Sequence, residues 1–260
     1  MGSLFGSIGL FIAAMVAGAV NSVAGGGSLI SFPALVAFGQ PAILANATNT
    51  AALWPGSVAS AVAYRRQTSL YRGLLPALLV PSIVGGLLGA FVLVSTPPAL
   101  FDRVVPFLVL FATVLFAFRR RISQAFAPPS APGDVPRDGH VTRGGRVWGF
   151  SFQLVVATYG GYFGAGIGIL MLASLSLMGL RDIHRMNAVK TILGALINVI
   201  AFVFFAVKGL VVWPLAALMA AGAILGGYLG ARVAMRVDQR WVARFVIAVG
   251  VVVSAWLFLD

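Results

Sequence analysis

The stretch that decides the fold reads AGGGSLISFPALVAF, residues 24–38. Its three consecutive glycines follow a long apolar segment, and glycine lets the backbone turn sharply. The apolar run after them, residues 28–38, is 11 residues long, and a helix of that length covers about half of a bilayer's hydrocarbon core. A second glycine break, Gly164-Ala-Gly-Ile-Gly168, leads into the short apolar run 167–179. The sequence therefore predicts two hairpins, each with a glycine-broken short helix.

The composition of the whole chain is that of a membrane protein. Of its 260 residues, 60% are hydrophobic and only 9% are charged, whereas about 25% of the residues of a soluble domain are charged. Because lipid offers no water to unpaired backbone groups, we predict that the apolar segments are helices in an all-α polytopic fold. Besides the two short runs, the apolar segments are 4–24, 41–64, 74–95, 101–118, 148–163, 186–207, 211–231 and 241–258.

The two halves of the chain resemble each other, in the order expected of a duplicated unit. Asn46-Ala-Thr-Asn-Thr50 matches Asn187-Ala-Val-Lys-Thr191, and Gly85-Gly-Leu-Leu-Gly-Ala90 matches Gly226-Gly-Tyr-Leu-Gly-Ala231. Asp102 and Asp238 then open the last helix of each half.

The segment between the halves has a different composition. It begins with Arg119-Arg-Arg121 and contains several prolines and small polar residues, which is typical of a disordered linker. We predict a first membrane repeat at 1–118, a Pro/Arg-rich linker at 119–146 and a second membrane repeat at 147–260.

Arginine placement predicts the orientation in the membrane. The net charge of +12 resides mainly in short loops and in the linker, where it orients the chain rather than binding nucleic acid. By the positive-inside rule these loops are cytoplasmic and both termini are outside. Each half then has a hairpin plus three transmembrane helices, and the second half is inverted relative to the first. The basic residues are Arg65, Arg66, Arg72, those from Arg119 to Arg146, Arg181, Arg185, Arg232, Arg236, Arg240 and Arg244. The N-terminus lacks a basic n-region, so we expect residues 4–24 to stay as a helix rather than to be cleaved.

Two motifs in the first half carry a family resemblance. They are Asn21-Ser-Val-Ala-Gly-Gly-Gly-Ser28 with the following Pro33, and Ala45-Asn-Ala-Thr-Asn-Thr50. With their weaker echoes in the second half, where Ile167 interrupts the glycine run, they make the chain similar to the TauE/SafE family of sulfite and organosulfonate exporters, also described as membrane permeases. The resemblance covers the chain outside the linker, and it implies transport of small sulfur-containing or carboxylate anions.

Polar side chains form a stripe on corresponding helices of the two halves. Such stripes either hydrogen-bond neighbouring helices together or line a pathway for a solute. In segment 41–64 the stripe comprises Asn46, Asn49, Thr50, Ser57, Ser60 and Tyr64, and in segment 186–207 it comprises Asn187, Lys190, Thr191 and Asn198.

Lys190 is the one cation placed several residues inside a predicted spanning segment, and it stands where the first half has Asn49. A charge there costs a few kcal/mol unless it is compensated, and a permeating anion would compensate it. The alternative is that the side chain snorkels to the cytoplasmic surface.

The glycine breaks offer a second means of binding an anion, because helix N-termini carry unpaired N–H groups and the positive end of the dipole. The alternative is close helix packing through small residues, which we assign to Gly85-Gly86 and Gly226-Gly227. The further substrate-binding candidates are Asn21, Gly26, Gly27, Ser28, Gln153, Tyr159, Gly166 and Gly168.

Other kinds of protein are less compatible with these residues. There is no Glu or Cys, and all six Asp residues lie at segment ends or in loops, so we expect no metal and no cofactor. A serine protease would need Ser28 close to His184, which lies near one surface on the other repeat. A purely structural or assembly role explains the helices but not the mirrored stripes.

We therefore predict a secondary transporter of a small anion, without catalytic residues, in a bacterial inner (plasma) membrane. Its partners would be the lipid bilayer and the anion, not nucleic acid, and it would be a monomer or a homodimer. The residues specify neither the direction of transport nor the coupling ion.

Overall fold

The computed structural model describes residues 4–23, 25–63, 75–125, 143–178, 183–233 and 239–259. Within these ranges the chain forms ten α-helices and no strand. They are α1 (Leu4–Val23), α2 (Ser28–Ala37), α3 (Ala42–Ala63), α4 (Leu75–Ser95), α5 (Pro98–Ala125), α6 (Arg143–Tyr162), α7 (Ile167–Leu177), α8 (Ile183–Val207), α9 (Trp213–Val233) and α10 (Gln239–Leu259).

The helix lengths confirm the predicted all-α polytopic membrane fold. Six of the described helices, namely α1, α4, α5, α8, α9 and α10, are long and apolar enough to cross a membrane. Helices α3 and α6 have 22 and 20 residues. Helices α2 and α7 have only 10 and 11 residues, as the glycine breaks predict.

The helices extend into both ends of the predicted linker. Helix α5 continues through residues 119–125 and α6 begins at Arg143. With 28 residues, α5 is about 42 Å long and exceeds the roughly 30 Å of hydrocarbon. Residues 126–142 lie outside the described residues, as do the basic positions Arg65, Arg66, Arg72, Arg181 and Arg236.

Corresponding helices of the two halves make corresponding contacts. Helix α1 packs against α9 as α6 packs against α4, and α3 packs against α9 as α8 packs against α4. Helix α5 contacts α7 as α10 contacts α2, while the corresponding helices α3 and α8 contact each other. This pattern is expected of a duplicated unit whose copies are related by a pseudo-two-fold axis. The inversion of one copy relative to the membrane stays a prediction.

Glycines make the close helix contacts, as predicted for the paired motifs. A Cβ on Gly85 would meet the side chain of Ala157 and the backbone of α6, and a Cβ on Gly226 would meet the backbone of Met15 in α1. Because the corresponding positions of the two halves serve the same packing function, the packing interpretation of these glycines is supported.

The outer faces of the helices are apolar. Phe91, Val155 and Val252 are 59%, 66% and 68% exposed, which is expected where side chains contact lipid. At the end of α9 the Arg232 guanidinium lies 4.4 Å from the ring centroid of Tyr228. Arginine beside an aromatic ring is typical of the membrane–water interface.

We predict that Gly226→Ala and Gly85→Ala each lower the free energy of unfolding by about 1–3 kcal/mol, because the added methyl group meets backbone that cannot rotate away. Gly9→Ala in α1 is the matched control, since nothing lies within 4 Å of its Cβ position. Reversible unfolding in mixed micelles, followed by circular dichroism, measures the difference. Equal stability of all three variants would contradict the close packing.

Candidate functional site

The turns of the two hairpins touch each other. Gly25, with φ +73°, forms the turn between α1 and α2, while Gly164 and Gly166, with φ +80° and +77°, form the turn between α6 and α7. A Cβ on Gly25 would lie 2.8 Å from the Cα of Gly168, and a Cβ on Gly168 would lie equally close to the Cα of Gly25. No side chain fits between them, so glycine at both positions allows the two halves to meet.

A cavity of about 30 Å³ lies beside this contact. A cavity of this size holds one or two water molecules, so it must widen to admit a larger solute. Its walls come from α1, the α1–α2 turn, the first residue of α2, α3, the α6–α7 turn, α7 and α8. The lining residues are Asn21, Ser22, Gly25, Ser28, Ser57, Ser60, Gly164, Ile167, Gly168, Met171, Lys190, Thr191, Gly194 and Asn198.

Lys190 supplies the only charge among these lining residues. Its side chain is 3% exposed, and its Nζ is buried without a hydrogen-bond partner. The snorkelling alternative is therefore wrong for this conformation. Space for the side chain depends on Gly168, because a Cβ there would lie 3.3 Å from the Cδ of Lys190.

The corresponding position in the first half shows why Lys190 is left unpaired. Asn49 is buried, and its Oδ1 accepts a hydrogen bond from the hydroxyl of Ser31 on α2. When the turn glycines Gly25 and Gly164 are aligned, the position of Ser31 is taken in α7 by Leu170, which has no polar group to offer. Asn49 in the first half thus has a hydrogen-bond partner within the protein, whereas Lys190 at the corresponding position of the second half has none among the described residues.

Hydrogen bonds fix the polar walls of the cavity. The Nδ2 of Asn21 donates to the Oγ of Ser57 over 3.2 Å, which ties α1 to α3. Ser60 Oγ lies 3.0 Å from the carbonyl oxygen of Gly227 and ties α3 to α9. The hydroxyl of Thr191 donates to the carbonyl of Asn187 in its own helix over 2.7 Å. Ser57 and Asn198 occupy corresponding positions of the two halves, and both line the cavity.

The cavity collects only part of the predicted set. The predicted residues that line it are Asn21, Ser28, Ser57, Gly168, Lys190, Thr191 and Asn198. Gly26 instead lies against the ring of Phe116, and Gly27 lies against the carbonyl of Ala17. Gly166 lies against Ala112. Gly26 and Gly27 thus pack closely, whereas a Cβ on Gly166 would make only ordinary contact with Ala112. Close packing and anion binding are not exclusive, and a binding role for these three glycines stays a prediction.

Other predicted polar residues lie outside the cavity and form hydrogen bonds between helices or within their own helix. Asn46 Nδ2 donates to the carbonyl of Tyr162 over 2.9 Å, at the end of α6 where carbonyl groups lack intrahelical donors. Thr50 donates to the Asn46 carbonyl over 2.9 Å. Asn49 accepts the hydrogen bond of Ser31. The backbone carbonyl of Asn187 accepts the hydrogen bond of Thr191, while the Asn187 side-chain Oδ1 is buried without a partner among the described residues.

Two predicted residues of α6 also lie outside the cavity. Gln153 Nε2 donates to the Ser82 hydroxyl over 3.0 Å and ties α6 to α4. The Tyr159 hydroxyl donates to the carbonyl of Ala165 over 2.8 Å and braces the α6–α7 turn. Both contribute to the position of the second hairpin.

Several lining residues were not predicted as substrate-binding. The sequence could have predicted two of them as lining residues. Ser60 belongs to the polar stripe of α3, and Gly194 lies about one helical turn after Lys190 on the same face. Ile167 and Met171 are apolar, and no pattern in the sequence marks them as lining residues.

The protease alternative required Ser28 and His184 to lie close together. Ser28 lines the cavity, but the side chain of His184 lies outside the described residues. Among the described residues, no three His, Asp or Glu side chains form a cluster that could hold a metal.

Comparison with known proteins decides the family. The model of the sulfite exporter TauE/SafE family matches residues 10–257. The chain belongs to this family. As a TauE/SafE protein it is a membrane permease rather than an enzyme, in agreement with the sequence prediction.

Individual relatives cover almost the whole length. A probable membrane transporter protein of Haemophilus influenzae is 27% identical over 252 residues, covering 96% of this chain and 94% of that protein. The probable membrane transporter protein YfcA of Escherichia coli K12 is 27% identical over 256 residues, with 96% and 89% covered. The probable membrane transporter protein ORF9 of Sinorhizobium sp is 29% identical over 257 residues, with 96% and 92% covered. No solved structure gives a significant match to the chain.

We predict that Lys190→Met raises the stability of the protein in anion-free buffer by roughly 2 kcal/mol, because it removes an unpaired buried charge. Asn49→Leu is the matched substitution in the other half. It should lower stability by about 0.5–1.5 kcal/mol, since the Ser31 hydroxyl loses Asn49 as an acceptor and keeps only its 3.3 Å hydrogen bond to the Gly27 carbonyl. Unfolding in mixed micelles measures both changes. A Lys190→Met variant less stable than the parent would show that the ammonium is satisfied within the protein.

Proposed function

We propose that the protein is a secondary transporter that moves a small anion by alternating access, at the interface of two inverted repeats. The observation that carries this proposal is the buried, unpartnered Nζ of Lys190 at the wall of the cavity. The anion would bind there, between the two glycine turns.

The energetics favour a solute anion as the missing partner. An unpaired charge inside a protein or membrane costs several kcal/mol, and none of the described residues that line the cavity is acidic. Helices α2 and α7 both begin at the cavity, at Ser28 and Ile167. Their N-terminal dipoles also favour negative charge. The Lys190 ammonium and the N-termini of α2 and α7 therefore all favour an anion in the cavity.

The narrow cavity and the equivalent helix contacts of the two halves support alternating access. The cavity is too small for a solute larger than one or two waters, and the Gly25–Gly168 contact stands beside it. Rocking one hairpin against the other would open the cavity to one side of the membrane and then to the other. The basic loops support an orientation with the linker in the cytoplasm and both termini outside, in a bacterial inner membrane.

The substrate we propose is sulfite, a sulfonate or a related small carboxylate anion. The description of the family as sulfite exporters supports this class, as does a cavity that presents one ammonium and the side-chain amides of Asn21 and Asn198. We propose that the working unit is a monomer or a homodimer embedded in lipid, and that it needs no cofactor.

We predict that Lys190→Met lowers substrate-dependent flux into liposomes by about 10- to 100-fold, the loss expected when one charge-assisted hydrogen bond is removed. Lys190→Arg, which keeps the charge, should retain more flux than Lys190→Met. Lys208→Met is the matched control, because Lys208 is exposed just after the same helix. Counterflow of radiolabelled sulfite and acetate measures the effect.

Two outcomes would count against the proposal. Equal flux for Lys190→Met and Lys208→Met would exclude Lys190 as the binding group. Absence of flux in the parent protein with every sulfonate, sulfite and carboxylate tested would favour a structural or assembly role.

A further inference from the structure

We infer that the cavity selects solutes whose entering group carries a single negative charge, and that it rejects a doubly charged group of the same shape. This inference rests on the proposed function and specifies the substrate class of the same site. Among sulfur oxyanions it favours hydrogensulfite and sulfonates over sulfite and sulfate dianions.

The charge inventory of the cavity is the first argument. Lys190 is the one charged residue among the lining positions of α1, α2, α3, α7 and α8. Among the charged side chains that the structure describes, it is also the only buried one, because Asp102, Arg103, Arg121, Lys208, Arg232 and Arg244 are exposed. A monoanion beside Lys190 makes a neutral pair, whereas a dianion leaves one negative charge buried without a partner.

The second argument is the direction of the hydroxyl hydrogens. Ser22, Ser57 and Thr191 each donate to a carbonyl of their own helix, at Ala19, Leu53 and Asn187. Ser60 donates in the same way to Gly56 or to Gly227. A hydroxyl whose hydrogen is already used presents lone pairs to the cavity. These walls therefore repel a second negative charge on any solute, and they accept a hydrogen bond from a monoanion that carries a proton, such as hydrogensulfite.

The magnitudes decide between one charge and two. The N-terminal dipoles of α2 and α7 could partly offset a second charge, but each contributes about 0.3–1 kcal/mol and at most about 2 kcal/mol. An unpaired buried charge costs several kcal/mol. The dipoles therefore strengthen the binding of a monoanion without replacing a second cation.

Methanesulfonate and methylphosphonate provide a direct test, because both are a methyl group on a tetrahedral oxyanion. The sulfonate is a monoanion throughout, while the phosphonate changes from monoanion to dianion at its second ionisation. Binding to the purified full-length protein is measured by ligand-induced thermal stabilisation, at one pH below and one pH above that ionisation. Methanesulfonate reports any effect of pH on the protein itself.

We expect methanesulfonate to bind at both pH values. Relative to methanesulfonate, methylphosphonate should bind roughly tenfold or more weakly once it is a dianion. Asn198→Lys adds a second cation at the cavity and should restore binding of the dianion. Equal binding of both charge states to the parent protein would overturn the charge selection and leave the proposed function standing. Absence of binding by either compound at either pH would overturn both.

Discussion

The backbone contact between Gly25 and Gly168 is the constraint on which the rest of the site depends. Each glycine lies where a Cβ would strike the other backbone, and Gly25 also adopts a positive φ. The contact joins two short hairpins that come from opposite halves of the chain. Because the hairpins meet there, the starts of α2 and α7 and the polar faces of α3 and α8 enclose one shared cavity. A larger residue at either position would separate the walls of the site.

The site is asymmetric although the fold is duplicated. Corresponding positions carry Asn49, satisfied by Ser31, and Lys190, which has no partner. The position is thus paired within the protein in the first copy and occupied by an unpaired cation in the second. Under the proposed function, this unsatisfied charge destabilises the empty protein and supplies affinity for the anion. Stability would then be given up at one residue to create a binding site, as is common where a protein functions.

Much of the fold could be predicted because length and glycine placement are local signals. The short helices follow from the glycine breaks, and Lys190 was found because a lone cation inside an apolar segment is conspicuous. The composition of the cavity wall was harder to predict. Ser31 satisfies Asn49 only through the packing of α2 on α3, and Gly26 is covered by Phe116 from a distant helix. Helical periodicity predicts on which face of its helix a residue lies, but it does not predict which neighbouring side chain packs against that residue.

An experimental structure with a bound bromine-labelled sulfonate, such as bromomethanesulfonate, tests the central claim most directly. Anomalous scattering from bromine locates the anion without reference to the protein density. The sulfonate oxygens should lie within hydrogen-bond distance of Lys190 Nζ, in a cavity wider than the one described here and beside the Gly25 and Gly168 turns. Bromine density confined to surface arginines, with Lys190 paired to a protein group, would contradict the claim.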